Sequence, residues 1–188
     1  MRTQLGPRLF TVDEYHRMAE AGILCEDDRV ELVEGEIIEM PPIGSQHASI
    51  VDTISDILRS NLTRQRAIIR VQGPIRLGEK SEPEPDVSIL APRIDAYRDS
   101  HPGAADVLLL IEVSDTTLAF DTGRKQALYA DAGVREYWVV DITGRRIEVY
   151  RGPTAGNYKQ RLLFLPGESI APLAFPEVSV AVSDVLVP

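Results

Sequence analysis

The chain holds 188 residues, 44% hydrophobic and 26% charged, which suits one soluble globular domain with a buried core. A net charge of −9 argues against strong nonspecific binding to nucleic-acid backbones, although a basic patch or a bound cation can offset that field locally. No apolar run approaches the roughly 18 residues that span a bilayer. The opening MRTQLGPRLFTVDEY lacks a signal-peptide core, and the lone Cys25 cannot form an internal disulfide, so the expectation is a cytoplasmic protein with no membrane partner.

In chain order, FTVDEYHRMAEAGI predicts a short helix, capped by Thr11, completed as a capping box by Glu14 and ended by Gly22. RVELVEGEIIEM predicts a hairpin turning at Glu34-Gly35, and PPIG breaks the pattern. The stripe Ile50, Ile54, Ile57, Leu58 and Leu62 predicts a helix from Ser45 to about Asn61. AIIRVQGPIRL reads as a strand whose proline marks an edge or a bulge, and GEKSEPEPD as a loop. DVSILA is a short strand, HPGAAD a turn, and VLLLIEV a central strand apolar enough to be buried on both faces. DTGRKQALYADAG predicts a helix with Asp121 as N-cap and Gly133 as its stop. REYWVVDI and RIEVYR pair around Thr143-Gly144, KQRLLFL adds a strand, and SVAVSDVLV packs one more apolar segment. Strand, helix and strand over residues 107–142 imply a βαβ-like crossover, hence an α/β fold with a mixed β-sheet flanked by helices.

A carboxylate near the end of so apolar a strand, Glu112, calls for a reason. Asp86 opens a strand just after the prolines of EPEPD, and Lys125 lies in the first turns of the helix that follows Glu112. Strand ends and loops of α/β sheets collect reacting groups, because the scaffold fixes them and leaves them reachable. Two carboxylates brought together repel unless a divalent cation sits between them. Mg²⁺ (or Mn²⁺) suits such a pair, with the Val113 carbonyl as a third oxygen ligand and substrate phosphate completing the shell. A nearby lysine can then orient water and balance transition-state charge. Each residue also has a bland reading: Glu112 in a structural ion pair, Asp86 capping a turn, Lys125 in solvent.

Pro85-Asp86, the buried strand ending in Glu112-Val113-Ser114 and the lysine beyond it resemble the PD-(D/E)xK nuclease superfamily. VELVEGEIIEMPPIGSQH, PEPDVSIL and LLLIEVSDTTLAFDTGRKQALYADAGVREYWVVD together resemble the Uma2 family, also called DUF820, of restriction-endonuclease-like proteins. The resemblance implies one such domain over residues 1–188 and a metal-dependent nuclease. It also implies a site of Glu31 (with Glu34 as the fallback), Asp86, Glu112, Lys125 and an auxiliary His47. Nucleic acid is the implied substrate, DNA ahead of RNA, and a homodimer the implied assembly, which could gather Arg64, Arg66 and Arg70 into one groove. One departure stands out: Ser114 occupies the position where the superfamily carries its lysine. Ser114 and the acidic surface support an alternative, a catalytically inactive nuclease-fold module that binds a protein partner. A third reading is a hydrolase of a small phosphorylated compound.

Overall fold

A computed structural model describes residues 6–25 and 27–187. Helix α1 (Val12–Glu20) starts at Thr11, whose side chain accepts from the Glu14 N–H while Glu14 reaches back to the Thr11 N–H, completing the expected capping box. Strands β1 (Val30–Val33) and β2 (Glu36–Glu39) form the hairpin around Glu34-Gly35, and α2 runs over Ser45–Asn61. Six strands then build one sheet: β3 (Ile68–Val71), β4 (Val87–Leu90), β5 (Val107–Ser114), β6 (Glu136–Asp141), β7 (Arg146–Thr154) and β8 (Asn157–Phe164). Their spatial order follows the chain, and every pairing is antiparallel except β5 with β6, which run parallel. A parallel pair needs a crossover, and residues 118–131 supply it as a helix in three pieces. These are α3 (Leu118–Phe120), a π turn (Asp121–Lys125) and α4 (Gln126–Asp131). The chain ends with β9 (Ser169–Ile170), β10 (Val180–Ala181) and α5 (Val182–Val185). Among the described residues no helix is long and apolar enough to cross a membrane.

The helix after β5 begins four residues earlier than its sequence predicts. Thr117, not Asp121, is its N-cap, and the Asp121 N–H already bonds to the Thr117 carbonyl. Asp121 looks like a cap in sequence because its side chain does satisfy local donors. Its carboxylate accepts from Ser114 Oγ at 2.7 Å and Thr117 Oγ1 at 2.6 Å, which tie the strand end to the helix start.

The side-chain alternation of a strand splits the core in two. Leu109, Ile111 and Val113 of β5 face α2 and the C-terminal segment, packing with Ile54, Leu58, Trp138 and Val182. Leu110 and Glu112 occupy the opposite parity. Leu110 packs there with Tyr129, Tyr137, Tyr150 and Tyr158. Their rings form a column: Tyr129–Tyr137 at 4.9 Å, Tyr137–Tyr150 at 5.7 Å and Tyr150–Tyr158 at 5.9 Å between centroids. Aromatic pairs at such spacings add about 0.5–1.5 kcal/mol each beyond the area they bury.

Two measurements test this framework. Gly35 has φ +84°, and a Cβ there would meet Leu9 Cβ at 2.7 Å. Gly35→Ala should therefore cost about 1–2 kcal/mol in urea unfolding. On β7, burial pushes Glu148 upward, but hydrogen bonds from Arg161 and Tyr150 outweigh it and leave the carboxyl below its ordinary 4.5. Its stabilisation is thus present above pH 4.5 and lost as pH falls through the lower folded value. Glu148→Gln should be destabilised near neutrality, and the gap to wild type should close in acid.

Candidate active site

The sheet brings the predicted acids to the end of β5. Glu112 lies at the third-last position of that strand and Asp86 immediately precedes β4, its neighbour. Both line one cleft of about 290 Å³, together with Val113, Asp115, Thr117, Asp121, His47 and Arg29. Asp86 is fixed from two sides: Oδ2 accepts the Val113 N–H at 2.8 Å and faces His47 Nε2 at 3.1 Å. That contact raises the His47 imidazole above its ordinary 6.5, against partial burial, and favours the imidazolium.

Lys125 is wholly buried and lies behind the cleft wall. Its ammonium donates to Glu112 Oε1 at 2.9 Å and pairs with Glu31 Oε2 at 3.0 Å. The π turn accounts for its placement. Such a turn widens the helix by one residue, and both of its ends, Asp121 and Lys125, point inward and are buried. Tyr129, one α turn later, donates its hydroxyl to the same Glu112 Oε1 at 2.8 Å. Glu31 is brought in by the β1–β2 hairpin, and its Oε2 also accepts the Glu84 N–H at 3.0 Å. Glu34, the fallback acid, is instead a surface partner of Arg124 at 2.8 Å. The structure thus joins Glu31, Glu112 and Lys125 in one buried cluster and Asp86, His47 and Val113 in the adjoining wall.

The electrostatics follow from crowding. Burial pushes Glu112 well above the usual carboxylate range; Lys125 opposes this, while Asp121, Asp86 and Glu31 reinforce it. Burial would lower Lys125, but Glu112, Glu31 and Asp121 outweigh it and keep the ammonium charged. Four acids crowd one ammonium and the His47 imidazolium, and the raised Glu112 and Asp121 carboxyls register that crowding, the condition a divalent cation relieves.

The donor set fits such an ion. Both hydrogen bonds accepted by Glu112 fall on Oε1, so Oε2 carries none among the described residues. Asp86 Oδ1 receives only a long 3.4 Å contact from Gln72. Each acid therefore keeps one lightly engaged oxygen, the hard donor type that Mg²⁺ and Mn²⁺ prefer. Glu31 Oε1 and His47 Nδ1 are likewise buried without a partner among the described residues.

Four contributors escaped the sequence reading. Asp121 reads in sequence as a helix cap, and Tyr129 is one more residue of the same predicted helix. Arg29, which lines the cleft and donates to the Pro41 carbonyl at 2.5 Å, lay hidden in an acidic stretch. Glu84 is open to solvent, yet desolvation of its carboxyl, reinforced by Glu31 and Glu82, raises it. The two-residue spacing of Glu82, Glu84 and Asp86 was the available signal for it.

The same fold occurs in the crystal structure of "a putative nuclease belonging to DUF820" from Anabaena variabilis ATCC 29413. The two superpose with a TM-score of 0.71 over 94% of this chain and 97% of that one, at 19% sequence identity. No curated protein matches the sequence. A family model described as "Putative restriction endonuclease" matches residues 12–183, nearly the whole length, and the chain belongs to that family, Uma2.

Proposed function

We propose that this chain is a Mg²⁺- or Mn²⁺-dependent endonuclease that hydrolyses phosphodiester bonds in nucleic acid, with DNA the preferred substrate. The observation that carries the reading is the pairing of Asp86 and Glu112 on one cleft wall, with an ammonium fixed against Glu112. Asp86, Glu112 and the Val113 carbonyl would hold the ion. The ion would supply Lewis-acid polarisation of the phosphate and charge neutralisation in the transition state. Asp86 is oriented for its part by the Val113 N–H and His47. Lys125 aligns Glu112 and Glu31 and stabilises developing negative charge from behind them. His47, as imidazolium, can contact a phosphate oxygen or pass a proton. Arg29 adds a fixed positive charge to the cleft wall. Arg59, Arg64 and Arg70 line one recess elsewhere, a basic patch suited to a phosphate backbone on an otherwise acidic chain. We take residues 1–188 as one such domain acting as a homodimer, which would present two sites to two strands.

A second reading rests on a specific observation. Lys125 is locked on two acids and does not line the cleft, an arrangement a binding module could keep purely for its fold.

One assay separates the two. The wild type should cleave DNA with Mg²⁺ or Mn²⁺, and Asp86→Asn should lose roughly a hundredfold or more, as the removal of several kcal/mol of charge stabilisation requires. A wild type silent on DNA and RNA with either ion would favour the module. Lys125→Met leaves two buried acids without their cation and should cost about 3–5 kcal/mol in chemical unfolding. A loss below 1 kcal/mol would mean that the acids are already protonated and need no ammonium.

A further inference from the structure

A second cluster of metal-ligating side chains lies outside the cleft. His16 of α1, Glu82 of the proline-rich loop and His101 of the turn before β5 bring one ligand atom each to within 4.8 Å of one another. We infer that these three residues form a second metal site, selective for a transition-metal ion of the zinc class, which fastens α1 and the 98–103 turn onto the segment behind Glu31.

The chemistry of the donors sets the ion. Two imidazoles and one carboxylate suit Zn²⁺ and its neighbours, whereas Mg²⁺ prefers an all-oxygen shell. Three protein ligands with His101 exposed leave room for a water as the fourth. Glu82 supplies an independent pointer to a ligand. It is buried to 3% exposure, with Oε1 at 2.5 Å from His16 Nε2, while its buried Oε2 has no hydrogen-bond partner among the described residues. A buried carboxylate oxygen left unpaired is costly, and a bound cation relieves that cost.

The backbone under each ligand is already anchored. The Val12 N–H bonds to the Glu79 carbonyl and holds α1 against the loop that carries Glu82. The Glu82 N–H bonds to the Leu32 carbonyl at 2.7 Å. The turn carrying His101 is tied by the Arg76 N–H to the Pro102 carbonyl at 2.9 Å and by a parallel bridge between Arg76 and Gly103. Arg76 and Arg98 line the same recess as the three ligands, and the Arg76 charge is partly met by Asp13 at 2.9 Å. The consequence for the first site is mechanical. Leu32 follows Glu31, and Glu84, two residues after Glu82, donates its N–H to Glu31, so an ion here stiffens the support of that acid.

The test uses the untagged full chain, with Zn²⁺ titrated by calorimetry in the presence of excess Mg²⁺ and thermal unfolding followed alongside. Wild type and Asp86→Asn should each bind one Zn²⁺ with the same affinity and melt higher when loaded. His101→Ala and His16→Ala should weaken binding roughly tenfold or more and lose the thermal gain. Because His101 is exposed, its variant should fold, and its melting temperature without zinc reports whether it does. Absence of a Zn²⁺ site in wild type overturns the inference, as does binding unchanged in both histidine variants. Binding that Asp86→Asn abolishes would put the ion in the first cleft and overturn it too.

Discussion

The arrangement turns on one buried cation. Lys125 lies without solvent contact between Glu31 and Glu112, and removing two carboxylates and an ammonium from water costs several kcal/mol per ion, which their attraction offsets only where the geometry is close and the remaining lone pairs are met. The surrounding chain supplies the close geometry and meets part of the lone pairs, leaving Glu31 Oε1 and Glu112 Oε2 without a hydrogen-bond partner among the described residues. The π turn aims the lysine inward, the β1–β2 hairpin delivers Glu31, the Glu84 N–H satisfies the same Glu31 oxygen, and Tyr129 caps Glu112. With Glu112 on β5, the members come from four separate parts of the sequence, near residues 31, 84, 112 and 121–129, so the cluster forms only when the tertiary fold does. It is therefore both a constraint on folding and the platform for the acids at the cleft.

The sheet beneath this platform sets where the cleft opens. The single parallel pairing, β5 with β6, is the place where the chain must cross over. Ligand sites in open α/β sheets favour the carboxyl ends of such strands, where connections diverge and leave a crevice. The tyrosine column leads from β8 through β7 and β6 to α4, so one aromatic stack runs from the sheet edge to the hydroxyl that contacts Glu112. Buried phenols in such a column stay neutral, since desolvation raises Tyr129 and Tyr137 far above their ordinary 10.0. They act as hydrogen-bond donors toward the site and carry no charge into it.

Much of this was legible in the sequence, because local signals agreed with the global fold. The Thr11–Glu14 capping box, the Glu34-Gly35 turn and the α2 stripe each rest on interactions within a few residues, and each forms where expected. Glu112 was conspicuous because a carboxylate is expensive in an apolar strand. What escaped was non-local. Asp121 was misplaced as a cap because its contacts with Ser114 and Thr117 imitate one, while a π turn leaves no signature in residue types. Nothing in the spacing of Lys125 shows that its amine lies behind the acids and not in the cleft. Tyr129 and His16 looked like ordinary helix residues, since their partners lie 17 and 66 positions away.

The central claim is that Asp86 and Glu112, backed by Lys125, are arranged to share a divalent cation. The most direct measurement is a crystal of the wild-type protein soaked in Mn²⁺ and examined by anomalous diffraction. The account predicts a peak between the Asp86 and Glu112 carboxylates, with Lys125 still paired to Glu112. A saturating soak that leaves no peak between these two carboxylates would contradict it.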